Sequence, residues 1–186
     1  MKILDRLRNP VFREIWGCID TKTPVNAVAS QGTLTMDTQP TADDTMTIGT
    51  KTYTFTADGT AAADGEIDVG ADLADAKTLV VAAINGTDGI NTAHTQVTAA
   101  AFSGDDMVIT ASTKGVAGDL IATTETFTAA TNVFDAATLG TTTAGVNGTP
   151  GKKGEFTWDS SYIYVCVDKD MSITNDNWER AAIASY

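Results

Sequence analysis

Apolar positions along the chain change their period twice. Over the first 28 residues Ile3, Leu4, Leu7, Val11, Phe12, Ile15 and Trp16 recur at a spacing near 3.6, with charges between them. That spacing predicts an amphipathic helix. Pro10 must break or kink a helix begun before it; Asn9 can cap a second piece with Pro10 at its first position. Seven large apolar residues in so short an arm need covering, by the rest of the chain or by another subunit. Phe12, Ile15 and Trp16 are the candidate docking residues of this arm.

From residue 29 to 146 the period drops to two. Leu34 and Met36 alternate with Thr33 and Thr35, a strand. In TMTIGTKTYTF, residues 45–55, Gly49-Thr50 suits a two-residue type II′ turn with glycine first. Pairing Ile48 with Lys51 then sets Met46 opposite Tyr53. It gathers Met46, Ile48, Tyr53 and Phe55 on one face and the threonines on the other. Ile67 and Val69 predict a short strand. DLADAKTLVVAAI, residues 72–84, is the one helix of this part. Asp72 is its N-cap, Asp75 suits the positive end of its dipole, and Asn85-Gly86 stops it. Its buried stripe is Leu73, Ala76, Val80, Ala83 and Ile84. Val97 with Ala99, and Met107–Ala111, give two more strands joined by the turn Gly104-Asp105-Asp106. Leu120-Ile121 and Phe127 are expected to add an edge. One helix on one face of an antiparallel sheet is an α+β layer architecture.

Residues 147–186 form a third part. Phe156 and Trp158 alternate. After the turn Asp159-Ser160-Ser161, Tyr162, Tyr164 and Cys166 interleave with Ile163, Val165 and Val167. This strand is apolar on both faces and should be covered on both. A β-meander of some forty residues is marginal alone, so it should lean on a neighbour. The expected class is mainly β with one packed helix. The parts are a helical arm at 1–28, a body at 29–146, and a glycine-rich linker with a small C-terminal β-meander at 147–186.

Charge sharpens these boundaries. The 186-residue chain carries 12 Lys+Arg against 24 Asp+Glu. Residues 30–150 hold 3 of the bases and 15 of the acids, net −12, and the rest is neutral. The acidity belongs to the middle part, with boundaries near 28 and 148. A surface that acidic repels phosphate and argues against nucleic acid as a partner. The 32 threonines favour strands, and 27 alanines supply much of the apolar content. No run of apolar residues is long enough for a transmembrane helix, and the N-terminus lacks the continuous apolar stretch of a signal peptide. No membrane association or classical secretion is expected. Cys18 and Cys166, far apart, suggest quiet thiols in a reducing cytosol rather than a disulfide framework.

Little here carries chemistry. One histidine and two cysteines cannot make a zinc site, and no cofactor or metal is expected. Asp64, Glu66 and Asp68 alternate and could face a hard cation, but no turn wraps them around a point; a solvated strand face is the plainer reading. Paired acids for glycan hydrolysis are offered by almost any strand here, so they carry no signal. His94 lacks a G-x-S-x-G partner. Gly145, Gly148, Gly151 and Gly154 recur every third residue. A phosphate loop fails because residue 146 is Val146 and Lys153 follows Lys152. The spacing suits a flexible linker, or a place where three chains meet on an axis. No catalytic residue emerges.

The stretches TIGTKTYTF, EIDVGADLADAKTLVVAAINGT and MVITASTKGVAGDLIATTET resemble a module of virion proteins of tailed bacteriophages. GKKGEFTWDSSYIYVCV with NWERAAIASY is similar to a C-terminal module shared among phage structural proteins, with its G-x-x-G-E-aromatic-x-W-D-S-x-Y core. The resemblance implies a non-enzymatic virion structural protein, assembled in the host cytoplasm. A capsid decoration or head-fibre protein bound to the major capsid protein or other virion subunits is the first form of it. The alternative is a tail, collar or fibre component touching host glycan through Trp158, Tyr162 and Tyr164. A homotrimer held by the C-terminal part is expected, because closed cyclic symmetry buries exposed faces without open-ended growth.

Overall fold

The computed structural model describes residues 23–159, 161–167, 173–174 and 177–182. The arm with Phe12, Ile15, Trp16 and Cys18, and Ser160 of the last turn, lie outside the described residues. The chain divides into two compact units. One is residues 27–147; the other joins residues 23–26 to those from 148 onward. The fold is mainly β, with one α-helix among the described residues.

The larger unit contains β1 (Gln31–Thr35), β2 (Thr45–Ile48), β3 (Lys51–Thr56) and β4 (Glu66–Asp68). The helix α1 (Leu73–Asn85) follows, then β5 (Val97–Ala99), β6 (Asp106–Ala111), β7 (Thr123–Glu125) and β8 (Val133–Phe134). These strands form two sheets rather than the single sheet expected, in the orders β5-β6-β1-β8 and β4-β3-β2-β7. Each sheet is short and offers one apolar face, and two such faces bury one another. Leu34, Met107, Ile109 and Phe134 from the first meet Met46, Ile48, Tyr53, Phe55 and Ile67 from the second in one core. Helix α1 packs against the edge strands β4 and β5, so it closes the open side of the pair.

Local chemistry sets the hairpin. Positive φ falls on Gly49, at 58°, and not on Thr50, as a glycine-first turn requires. Met46 stands opposite Tyr53 and Ile48 opposite Lys51. All four inward residues of the predicted set are buried. On the outer face the Thr47 and Thr52 hydroxyls hydrogen bond at 2.9 Å, and Thr45 reaches Thr126 at 2.7 Å.

Helix α1 begins at its predicted cap: the Asp72 carboxylate accepts from the Asp75 N–H at 3.0 Å. It ends at Gly86, left-handed at φ 66°. Ala76, Val80, Ala83 and Ile84 are buried, but Leu73 is only half-buried. It sits in the first turn and lines a surface groove along the helix.

Three expectations change. Strand β4 runs parallel to β3, Phe55 beside Ile67, so the body is not wholly antiparallel. The loop 57–65 makes this possible, and the three alternating acids hold it rather than forming a bare solvated face. Asp68 accepts from the Thr60 and Ala61 N–H groups at 2.8 and 2.7 Å. Glu66 accepts from Ala62 and Ala63 at 2.8 and 3.0 Å. Asp64 accepts from Lys51 and from the Thr92 N–H, both at 2.8 Å. Their carboxylates serve as acceptors for loop donors that would otherwise go unmade.

The expected edge at Leu120-Ile121 and Phe127 is displaced. Leu120 is 81% exposed at the end of a 3-10 turn, Val116–Leu120. The edge strand is β7, between the two predicted pieces, paired with β2. Its sequence, Thr-Thr-Glu, has no apolar alternation to announce it. Phe127 instead packs on Phe55, ring centroids 5.6 Å apart.

The smaller unit is a three-stranded antiparallel meander: β9 (Phe156–Trp158), β10 (Tyr162–Cys166) and β11 (Trp178–Ala182), in the order β11-β10-β9. Residues 23–26 belong to it. The Val25 N–H donates to Thr149 Oγ1 at 3.0 Å, and the Thr149 N–H to the Val25 carbonyl at 2.8 Å.

Candidate functional site

The predicted aromatic candidates sit on β9 and β10, and the register divides them. Trp158 pairs with Ile163 and Thr157 with Tyr164. Side chains alternate along a strand, so Trp158 shares a face with Phe156, Ile163 and Val165, while Tyr162 and Tyr164 lie on the other. The three do not form one platform.

The Tyr162–Tyr164 face is built inward. The Tyr164 hydroxyl donates to Asp159 Oδ2 at 2.7 Å, and Asp159 also accepts from the Ser161 and Tyr162 N–H groups and the Thr23 hydroxyl. The Tyr164 hydrogen bond, helped by these donors, holds the Asp159 carboxyl below its usual range; the same bond pushes the Tyr164 phenol up. Arg180 lies 4.5 Å over the Tyr162 ring. Trp178 Nε1 donates to the Thr149 carbonyl at 2.8 Å. Pro24, Val25, Asn26, Tyr164, Trp178 and Arg180 line a cleft of about 370 Å³. Tyr164 is buried beneath it and presents no free ring face. Trp178 and Arg180 were not singled out in the sequence; the signal was the alternation in NWERAA.

The opposite face is open. Phe156 is 61% exposed and Ile163 45%, with Val165 and Val167 close behind. The expectation that both faces of β10 are covered holds within this unit for one face only. The Phe156 and Trp158 rings stack at 6.2 Å along its margin.

The glycine triplets have local causes. A Cβ on Gly151 would lie 2.5 Å from the Trp178 ring and 2.9 Å from Cys166 Sγ. On Gly145 it would lie 2.3 Å from the Gly115 carbonyl oxygen. Gly154 adopts φ 89° in the turn before β9. Close packing and turn geometry within the chain account for Gly145, Gly151 and Gly154 without a threefold axis.

In the larger unit a shallow groove of about 690 Å³ runs along α1, lined mainly by Leu73, Lys77, Val81, Ala101 and Phe102. Its one cation is engaged: Lys77 Nζ donates to the Gly104 carbonyl at 2.9 Å and to Asp105 at 2.7 Å. His94 is buried, with Nε2 2.9 Å from the Ile48 carbonyl and Nδ1 accepting the Gln96 N–H at 3.1 Å. Those partners select the neutral Nε2–H tautomer, a histidine committed to structure. Asp44, 3% exposed, accepts from the Thr41 N–H and from both Thr128 donors. Among the described residues no cluster of three His, Cys, Asp or Glu could hold a metal ion. None of their helices is long and apolar enough to cross a membrane.

Searches against family models, curated proteins and solved structures give no match to this chain.

Proposed function

We propose that the chain is a non-enzymatic structural protein of a bacteriophage virion, a capsid decoration or head-fibre protein that works as a homotrimer. The observation that carries this reading is a division of labour between the two units. The larger is coated with paired threonines and carries the acidity, with many of its carboxylates spent on holding its own loops. That surface stays soluble and repels its like when copies stand close together on a shell. The smaller unit is nearly neutral and presents an apolar face, the property of a part that attaches. The sequence resemblance of both parts to phage virion modules supports the same reading.

In this account the N-terminal arm anchors the chain to the shell, with Phe12, Ile15 and Trp16 as its apolar contacts. Trp16→Ala tests it. Loss of one buried aromatic anchor costs about 2 kcal/mol or more of binding, some thirtyfold in affinity. The expected result is a variant that folds with an unchanged melting temperature and fails to co-sediment with particles. A variant that melts early instead would place the arm in the chain's own core and end the anchoring role.

A further inference from the structure

The register of β9 and β10 gathers the exposed Phe156, Ile163 and Val165 and the half-buried Trp158 on one surface. Phe156 stands opposite Val165 and Trp158 opposite Ile163, and the exposed Val167 follows directly after β10. On β11, Glu179 is paired with Val165 and Ala181 with Ile163. The patch therefore spans three strands, with Glu179 the one formal charge on its described strand positions. Large aromatic and aliphatic residues with few charges make the core of a protein–protein interface, not of an ordinary surface.

We propose that this face is where copies of the chain meet, each covered by the same unit of its neighbour. This deepens the homotrimer reading above and rests on it. Given a homotrimer, charge decides which unit its copies share. Residues 27–147 carry 3 bases and 15 acids, whereas residues 148–186 carry 4 bases and 6 acids. Contact through the larger unit would bring two surfaces of net −12 within a Debye length, about 8 Å at physiological salt. Contact through residues 148–186 brings only −2 against −2 and buries the apolar face.

The test is light-scattering mass of the full chain and two variants. Wild type should weigh three times 19.4 kDa. Phe156→Glu places a charge at the most exposed position and should be monomeric, with an unchanged circular dichroism spectrum. Val165→Thr keeps the shape and the strand preference and should raise the dissociation constant about tenfold. It serves as the readout if Phe156→Glu does not fold. A trimer unchanged by both substitutions would overturn the proposal while leaving the homotrimer intact. A monomeric wild type would overturn both, and the virion reading would still be judged on particles. If the wild type is monomeric and Trp16→Ala raises hydrogen exchange across β9 and β10, the chain's own arm is the occupant and the proposal fails.

Discussion

Replacing Gly86 with alanine should cost the larger unit several times more than the same change at Gly59. Both glycines are left-handed, at φ 66° and φ 72°. That conformation costs a side chain about 1–2 kcal/mol. Alanine recovers about 0.4–1 kcal/mol by stiffening the unfolded chain. At Gly59 nothing lies within 4 Å of the new Cβ, so the net is about 1 kcal/mol or less. At Gly86 the new Cβ would stand 2.3 Å from the Ala93 nitrogen and 2.7 Å from its Cα. These are backbone atoms of the segment that returns from the helix, and the His94 N–H there donates to the Ile84 carbonyl at 2.8 Å. They cannot swing aside as a side-chain tip would. Overpacking of this kind adds about 1–3 kcal/mol. Gly86→Ala should total about 2–4 kcal/mol, near 10 °C in melting temperature for a unit of this size, and Gly59→Ala a few degrees at most. Thermal melts followed by circular dichroism give both numbers. Equal losses at the two sites would refute the close approach of residue 93 to the helix end, and with it the way α1 closes the core.

Other outcomes follow from buried polar groups in the same core. The Tyr53 hydroxyl is buried without a hydrogen-bond partner among the described residues, and burial pushes its pKa above the normal tyrosine range. Tyr53→Phe should leave the melting temperature unchanged or raise it, by up to about 2 kcal/mol of stability; a drop would mean the hydroxyl is satisfied. Burial, reinforced by Lys51, depresses the His94 pKa below its ordinary 6.5. Below that pH the unfolded chain takes up a proton that the folded chain refuses. Stability should be flat above neutrality and fall from pH 6.5 down to the folded-state pKa. A melting temperature that stays flat between pH 7 and 5 would contradict the buried neutral imidazole, and His94→Gln should remove the slope.

Where short-range chemistry decides, the sequence was a sufficient guide. Gly49-Thr50 allows only one register for the hairpin, and that register follows from the turn alone. Asp72 and Asn85-Gly86 mark the helix because capping donors and a left-handed stop are local needs. The rest depended on distant pairing. Strand β7 is Thr-Thr-Glu, and only its bonds to β2 make it a strand. The alternation Asp64-Glu66-Asp68 reads as a solvated face until the loop 57–65 folds back and offers its N–H groups. The triplet glycines suggested a linker or an axis, and their cause at Gly151 is a tryptophan 27 residues away, Trp178. At the candidate site the two-faced pattern of β10 was visible. Which face stays open was not, because that depends on Gly151, Trp178 and residues 23–26 packing on the other side.

The central claim is that this chain is a part of a virion, and electron microscopy of purified phage particles labelled with an antibody against the larger unit tests it most directly. The account predicts gold at regular positions on the particle, on the capsid for a decoration or head-fibre protein. Particles that carry no label, with the chain recovered only from the unassembled lysate, would contradict it.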